Sequence, residues 1–267
     1  MPQPYTPVRP KRSLGQHFLT DLNIARRIAD TVDAAPGLPI LEVGPGTGVL
    51  TQFLLPKGRP LQAVELDRES VAYLRAHFPT LPLIEGDFLR LDLTELPAPF
   101  VLTGNYPYNI SSQIFFKMLA HRDRIPLCTG MIQREVAERL ASPPGCKAYG
   151  VLSVFVQAWY DVRLLDIVPP TAFTPPPKVQ SAVVSLTRNT RTHLPCDATL
   201  FRRLVKQVFS QRRKMLRVSL RQVLGGQQPL PQLFPSEILV KRPEQLAVQD
   251  FVDLTNLVQQ QLTTRTP

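Results

Sequence analysis

The sequence predicts an α/β fold, a mostly parallel sheet with helices on both faces, followed by a small all-helical C-terminal domain. Three observations predict it. Up to about residue 188, short apolar runs alternate with helix-like stretches, the pattern of a parallel sheet covered on both sides. A glycine triplet, Gly44, Gly46 and Gly48, follows the first strong apolar run and opens a helix-like stretch. After about residue 189 only helical periodicities remain. The boundary is therefore placed between residues 188 and 189, with residues 1–12 expected to form a flexible basic arm.

Taken in order, the predicted strands are "PILEVG" (39–44), "LQAVEL" (61–66), "LPLIEG" (81–86), "FVLTGN" (100–105) and "LCTGMI" (127–132). Helical patterns lie between them in "NIARRIADTVDAA", "GVLTQFLLPKG", "ESVAYLRAHF" and "SSQIFFKMLAHR", which alternate with the strands as a parallel sheet requires. "GVLSVFVQAWYDVRLLDIV" (150–168) and "SAVVSLTR" (181–188) read as two or more strands with no intervening helix, closing the sheet by antiparallel pairing. A proline-dense linker, "PPTAFTPPPKVQ", separates them. The tail ends in the helical pattern "AVQDFVDLTNLVQQQL".

At 267 residues, 43 % hydrophobic and 19 % charged, the chain reads as soluble and globular. No apolar run approaches the roughly 20 residues of a membrane span. The N-terminus lacks the apolar core of a signal peptide. Cys128, Cys146 and Cys196 are widely spaced and form no C-x-x-C, so neither a disulfide framework nor a metal site is expected. A cytoplasmic location fits best. The formal charge is +10, and between Ala198 and Ser236 there is no acidic residue. Arg202, Arg203, Lys206, Arg212, Arg213, Lys214, Arg217 and Arg221 fall there, while Phe201, Leu204, Val205, Val208 and Phe209 repeat at helical spacing. One face should pack and the other should be strongly positive. Without local acids to pair with, that face suits a polyphosphate such as nucleic acid.

Gly44, Gly46 and Gly48 let backbone approach a ligand closely. Val49 stands where the dinucleotide fingerprint needs its last glycine, and no P-loop is present. Glu65 ends the second strand, placed to accept from a ribose diol, and Asp87 ends the third, placed to reach an adenine amine. Successive strand ends of this kind mark the ligand crevice of open α/β sheets. With Glu42 just before the glycines, the set suits S-adenosylmethionine, which has no phosphates and a positive sulfonium. The expected domain is a Rossmann-like methyltransferase.

"NYPY" (105–108) ends the fourth strand on the same edge. An exocyclic amine is a poor nucleophile because its lone pair is delocalised into the ring. Two neutral acceptors, the Asn105 carboxamide oxygen and a main-chain carbonyl near Pro107, would hold both N–H groups. The face of Tyr108 would keep the base flat, so that positioning and electrostatics carry the chemistry. The base must leave its stack to enter such a pocket.

Together these stretches resemble the KsgA/RsmA ribosomal RNA adenine dimethyltransferases, whose relatives include the Erm enzymes. The similar segments run colinearly over about residues 11–220: "KRSLGQHFL", "LEVGPGTGVLT", "VELD", "GDFL", "GNYPYNIS", "QREVAERL", "KAYGVLSV", "FTPPPKVQSAVV" and "FSQRRKMLRVSL". The resemblance implies S-adenosylmethionine contacts from His17, Leu19, Gly44, Gly46, Glu65, Asp87 and Asn105. It implies presentation of the adenine amine by Asn105, Pro107 and Tyr108, stacking of Phe173 on the target base, and RNA contacts from Arg212, Arg213 and Lys214. The implied substrate is a pair of adjacent adenosines near the 3′ end of small-subunit RNA in an immature 30S particle, each dimethylated by a monomeric enzyme. Two positions depart from the family's usual pattern. Tyr106 stands where N-L-P-Y has leucine, and His17 stands where an asparagine is common.

Overall fold

In the computed structural model, residues 8–11, 14–225 and 230–263 are described. Residues 1–7 and 12 of the expected arm lie outside them. The first elements are β1 (Phe18–Leu19) and α1 (Leu22–Asp30). The Asp21 carboxylate caps α1, accepting from the N–H groups of Asn23 at 2.9 Å and Ile24 at 3.2 Å. Next come β2 (Ile40–Val43), α2 (Thr51–Leu54), β3 (Leu61–Glu65), α3 (Arg68–His77), β4 (Leu83–Glu85) and β5 (Val101–Thr103). All four β2 residues are buried, as a strand covered on both faces requires. Then follow α4 (Ser111–Ala120), β6 (Leu127–Gln133), α5 (Arg134–Ala141), α6 (Val151–Gln157), β7 (Tyr160–Val168), β8 (Phe173–Thr174) and β9 (Ser181–Arg188).

Seven strands form one sheet in the order β4-β3-β2-β5-β6-β9-β7. β4, β3, β2, β5 and β6 run parallel. β9 is antiparallel to β6, from Leu127 opposite Thr187 to Gln133 opposite Ser181. The order steps outward in both directions from β2 and β5, so the crevice lies at their carboxyl ends. Ile24 and Ile28 of α1 belong to the hydrophobic core with Ile40, Val101, Leu127 and Met131 of the sheet. A separate two-stranded ribbon pairs β1 with β8, Leu19 opposite Phe173.

The chain divides into two compact units, one of residues up to 137 with 161–188, the other of 138–160 with 189–267. The division at 188/189 read from the sequence differs from this over residues 138–160. The reason is α6. "GVLSVFVQ" was expected to be strand, but Val151–Gln157 is a helix with Leu152 to Val156 all buried. A short run that is apolar on every side carries no period by which helix and strand can be told apart. Ser153 Oγ fixes the helix start, accepting from Gly150 N–H at 2.9 Å and donating to the Arg139 carbonyl.

Within the second unit, α7 (Ala198–Ser210), α8 (Leu216–Val223), α9 (Leu230–Leu233), α10 (Ser236–Leu239) and α11 (Val248–Thr263) follow. α7 buries Leu200, Phe201, Leu204, Val205 and Val208 and exposes Arg202, Arg203 and Lys206. Phe155 of α6 meets Phe201 at a ring separation of 6.2 Å, and Phe209 meets Tyr149 and Phe251 at 6.4 and 5.9 Å. No described helix is long and apolar enough to cross a membrane.

Candidate functional site

A cavity opens in the first unit at the carboxyl ends of β2, β3, β4 and β5. His17, Leu19, Gly44, Gly46, Glu65, Asp87, Asn105, Pro107 and Tyr108 all line it. The turn after β2 makes its floor. Gly46 has φ of 58°, a conformation that strains any L side chain, and a Cβ there would also press on the Phe18 ring at 3.1 Å.

Glu65 is buried, and both of its carboxylate oxygens are engaged. One accepts from Gly46 N–H at 2.9 Å and the other from Asp67 N–H at 2.8 Å. Burial pushes its carboxyl up, and those N–H groups oppose the shift. Each oxygen keeps a lone pair for a diol. Glu42 lies deeper, 1 % exposed, with Oε2 accepting from the Thr51 hydroxyl at 2.7 Å and Oε1 without a partner among the described residues. Its carboxyl is pushed up to about 8, first by burial, against the Thr51 hydrogen bond and with the help of the Glu65 charge. Asp87 is more open, and its Oδ1 accepts Leu89 N–H at 2.8 Å.

The clamp is built by backbone. Tyr106 N–H donates to the Met131 carbonyl and Met131 N–H to the Gly104 carbonyl, both at 3.0 Å. This bridge continues the β5–β6 pairing to Asn105. The Asn105 amide nitrogen donates to the His17 carbonyl at 3.2 Å, which leaves its oxygen as a free acceptor. The Pro107 carbonyl accepts Ile110 N–H at 3.3 Å. The Tyr106 carbonyl, one peptide earlier, has no hydrogen-bond partner among the described residues. Tyr108 is held by a hydrogen bond to Ser181 and stacks on His17 with centroids 5.4 Å apart.

Tyr106, which the sequence left without a task, turns the other way into the core at 1 % exposure. Its hydroxyl donates to the Thr129 carbonyl at 2.8 Å, with the Cys128 sulfur at 3.4 Å. Its ring needs two glycines beneath it. A Cβ on Gly130 would fall 2.8 Å from the ring and 2.2 Å from the Gly104 carbonyl, and one on Gly104 would fall 2.5 Å from the Val43 carbonyl. The tyrosine side chain is therefore a packing residue matched to its neighbours.

Two expectations need correction. Phe173 does not line the cavity. Its ring is 3 % exposed in the core cluster, because pairing of β8 with β1 turns it inward beside Leu19. Stacking on a base would require it to leave that packing. Arg212, Arg213 and Lys214 do not continue the positive helical face but lie in the turn between α7 and α8. Arg212 is spent inside its own unit, donating to the Lys147 carbonyl at 2.5 Å and lying 3.8 Å from Glu244. Arg213 and Lys214 are exposed.

Contacts distant in sequence were missed. Lys11 pairs with Asp67 and, at 2.9 Å, with Glu69, drawing residues 14–19 over the cavity. Lys117 of α4 donates to the carbonyls of Leu89, at 3.0 Å, and Leu91. It thereby ties the helix that follows the clamp to the turn that carries Asp87. Only the neighbouring charge types were visible in the sequence.

A parallel sheet with a glycine turn and acids at successive strand ends is a Rossmann-like nucleoside-cofactor domain, and the neutral acceptors of Asn105 and Tyr106 suit transfer to an amine. Residues 8–260 match the family described as ribosomal RNA adenine dimethylase. A ribosomal RNA small subunit methyltransferase A from Phocaeicola vulgatus is 59 % identical over 97 % of this chain and 93 % of its own length. The Porphyromonas gingivalis protein of the same name is 55 % identical over 95 % and 99 %. Among solved structures, a dimethyladenosine transferase from Plasmodium falciparum has a TM-score of 0.78 at 26 % identity, covering 92 % of this chain and 98 % of its own. The 23S rRNA methyltransferase ErmE has 0.66 at 25 %, covering 90 % and 99 %. The chain belongs to the ribosomal RNA adenine dimethylase family. It is a methyltransferase acting on ribosomal RNA adenine, with S-adenosylmethionine as methyl donor.

Proposed function

We propose that this enzyme methylates N6 of two adjacent adenosines near the 3′ end of small-subunit ribosomal RNA, each twice. The observation that carries the chemistry is the Asn105 amide, anchored through its nitrogen to the His17 carbonyl at 3.2 Å. Its oxygen and the free Tyr106 carbonyl accept the two N6–H groups, drawing the amine towards a nucleophilic geometry. Tyr108, held by Ser181, keeps the base in plane. Pro107 fixes the turn between these groups. No residue removes a proton before attack, since the amine is too weak an acid. The proton leaves after transfer, from a product that is strongly acidic.

The cavity fits the donor. Gly44 and Gly46 admit close backbone approach, Glu65 retains lone pairs for a ribose diol, and Asp87 and the Leu89 turn suit an adenine edge. The unpartnered Oε1 of Glu42 suits positive charge. When bound, S-adenosylmethionine supplies an electrophilic methyl group. His17 and Leu19 close the cavity from above. Arg213, Lys214 and the exposed face of α7 supply positive charge for RNA phosphates.

The relatives' small-subunit names support the choice of RNA. On this reading the enzyme works as a monomer in the cytoplasm on an immature small subunit. The test is incubation with S-adenosylmethionine and either undermethylated small subunits or large subunits, followed by mapping of methylated nucleosides by mass spectrometry. Dimethyladenosine in the small-subunit RNA alone is expected. Transfer to large-subunit RNA alone, or no transfer to N6, overturns the proposal.

A further inference from the structure

The turn that carries Asp87 stands on little support from the sheet. It follows β4, an edge strand of three residues, none of them buried. In the sheet order β3 and β2 lie between β4 and β5, the strand that leads into the clamp. No direct strand pairing therefore sets Asp87 against Asn105. The turn closes mainly on itself. Asp87 Oδ1 accepts Leu89 N–H at 2.8 Å, and the Asp87 carbonyl accepts the N–H groups of Arg90 and Leu91, both at 3.0 Å. Asp87 Oδ2 lies 3.8 Å from the exposed Arg90. The Phe88 N–H meets no acceptor among the described residues, and residues 86–89 all line the cavity. A carboxylate beside a free N–H is the complement of adenine's amine and bare N1.

Lys117 holds this turn from outside. Its ammonium donates to the carbonyls of Leu89, at 3.0 Å, and Leu91, and lies 5.3 Å from the centre of the Phe88 ring, within cation–π range. Burial draws its pKa below the usual lysine value, against the pull of Asp87 and Asp92. The helix it comes from is anchored to the clamp. At the start of α4, Ser111 Oγ donates to the Tyr108 carbonyl at 3.2 Å, and Ile110 N–H donates to the Pro107 carbonyl at 3.3 Å. Phe115 meets the Tyr106 ring with centroids 6.2 Å apart. From Ser111 to Lys117 is about 9 Å along a helix. One rigid element thus meets the clamp at its first turn and the Asp87 turn further along.

We propose that Lys117 is a positioning residue for the donor's base, holding Asp87 and the Phe88 N–H in the register that selects adenine. This rests on the reading of the cavity as the S-adenosylmethionine site. The register is set from α4, so the donor's base is read at a position fixed by the helix that carries the amine clamp. A compact ammonium with three donors suits the task, since it can bind two carbonyls at once. Arg124, past the end of α4, supports the same connection further on. It donates to the carbonyls of Thr94, at 3.2 Å, and Leu96, at 2.5 Å, which lie outside the lining of the donor cavity.

The experiment is calorimetric titration of the whole protein with S-adenosylhomocysteine and with S-inosylhomocysteine. The second ligand has a carbonyl and an N1–H where adenine has the amine and bare N1. The parent should prefer the adenine ligand by on the order of a hundredfold or more. Lys117→Met keeps the aliphatic stem and loses the ammonium. Its preference should fall by about tenfold, through weaker binding of the adenine ligand, with RNA affinity unchanged. Asp87→Asn should also narrow the preference, and the double variant should narrow it no further than the stronger single change, because both act through one turn. Arg124→Gln should lower the melting temperature and leave the preference as in the parent. If Lys117→Met does not fold, Lys117→Gln takes its place under the same criteria. An unchanged preference in the folded Lys117 variant or in Asp87→Asn, an equal loss in Arg124→Gln, or losses that add in the double variant overturns the proposal and leaves the donor site standing. A parent that binds both ligands equally, or neither, overturns the donor reading as well.

Discussion

The Tyr106 hydroxyl donates to the Thr129 carbonyl at 2.8 Å, joining the residue beside Asn105 to the strand next door. Tyr106→Phe keeps the ring on Gly104 and Gly130 and removes that bond together with the hydroxyl's contact to the Cys128 sulfur. A buried carbonyl left without its donor costs about 1–3 kcal/mol. We expect a lower urea midpoint and a several-fold fall in kcat, with KM for the donor unchanged. A parallel rise in that KM would mean that the tyrosine supports the fold in general and not the clamp.

Asn105→Ala removes one of two acceptors for the adenine amine. Losing one preorganised hydrogen-bonding group of an active site typically costs about 10²–10³ in kcat. Single-turnover methylation should fall by that order while RNA affinity in a filter-binding assay changes less than about threefold. Equal losses in both would show that Asn105 serves binding alone.

The three basic residues of the turn after α7 should separate. Arg213→Gln with Lys214→Gln should reduce the slope of log affinity against log salt by about 1–2, since each phosphate contact contributes roughly 0.7–0.9. Arg212→Gln should leave the slope unchanged and lower the melting temperature, because it frees the Lys147 carbonyl and leaves the half-buried pairing with Glu244 broken. A slope that ignores Arg213 and Lys214 would make the turn an ordinary solvated surface.

Glu42 makes the donor-free protein less stable in alkali. Its folded carboxyl stands at about 8 against an ordinary 4.5, so the folded state holds a proton that the unfolded state has released. Its stabilising contribution is whole below pH 4.5 and is lost as the pH rises to about 8. The difference in melting temperature between Glu42→Gln and the parent should therefore be constant below pH 4.5, shift in favour of the variant as the pH rises from 4.5 to about 8, and level off above that. A constant difference across that range would remove the carboxyl from the account.

How much of this could be read in the sequence depended on distance along the chain. The strands around Gly44, Glu65 and Asn105 were clear because an apolar run, a glycine or acid, and a helical pattern follow one another within a few residues. α6 was misread because Leu152 to Val156 is buried on every side, so no face is marked by polarity. Phe173 was given a base-stacking role by resemblance alone, and its pairing with Leu19 reaches across more than half the chain. Arg212 looked equivalent to Arg213, since nothing local announces Lys147 or Glu244. Tyr106 looked unassigned for the same reason. Its partners are a carbonyl and the missing side chains of two glycines, neither of which has a sequence signature.

The ribbon of β1 and β8 has a consequence for the time at which the protein becomes competent. Leu19 is made long before the strand it pairs with, which begins at Phe173, and Ser181, which holds Tyr108, comes later still. A chain emerging from a ribosome thus carries its glycine turn, its acids and Asn105 long before the roof of the cavity can settle. The cavity can close only once Phe173 and Ser181 have been made, so a chain that stops short of them has no finished pocket in which to hold a methyl donor.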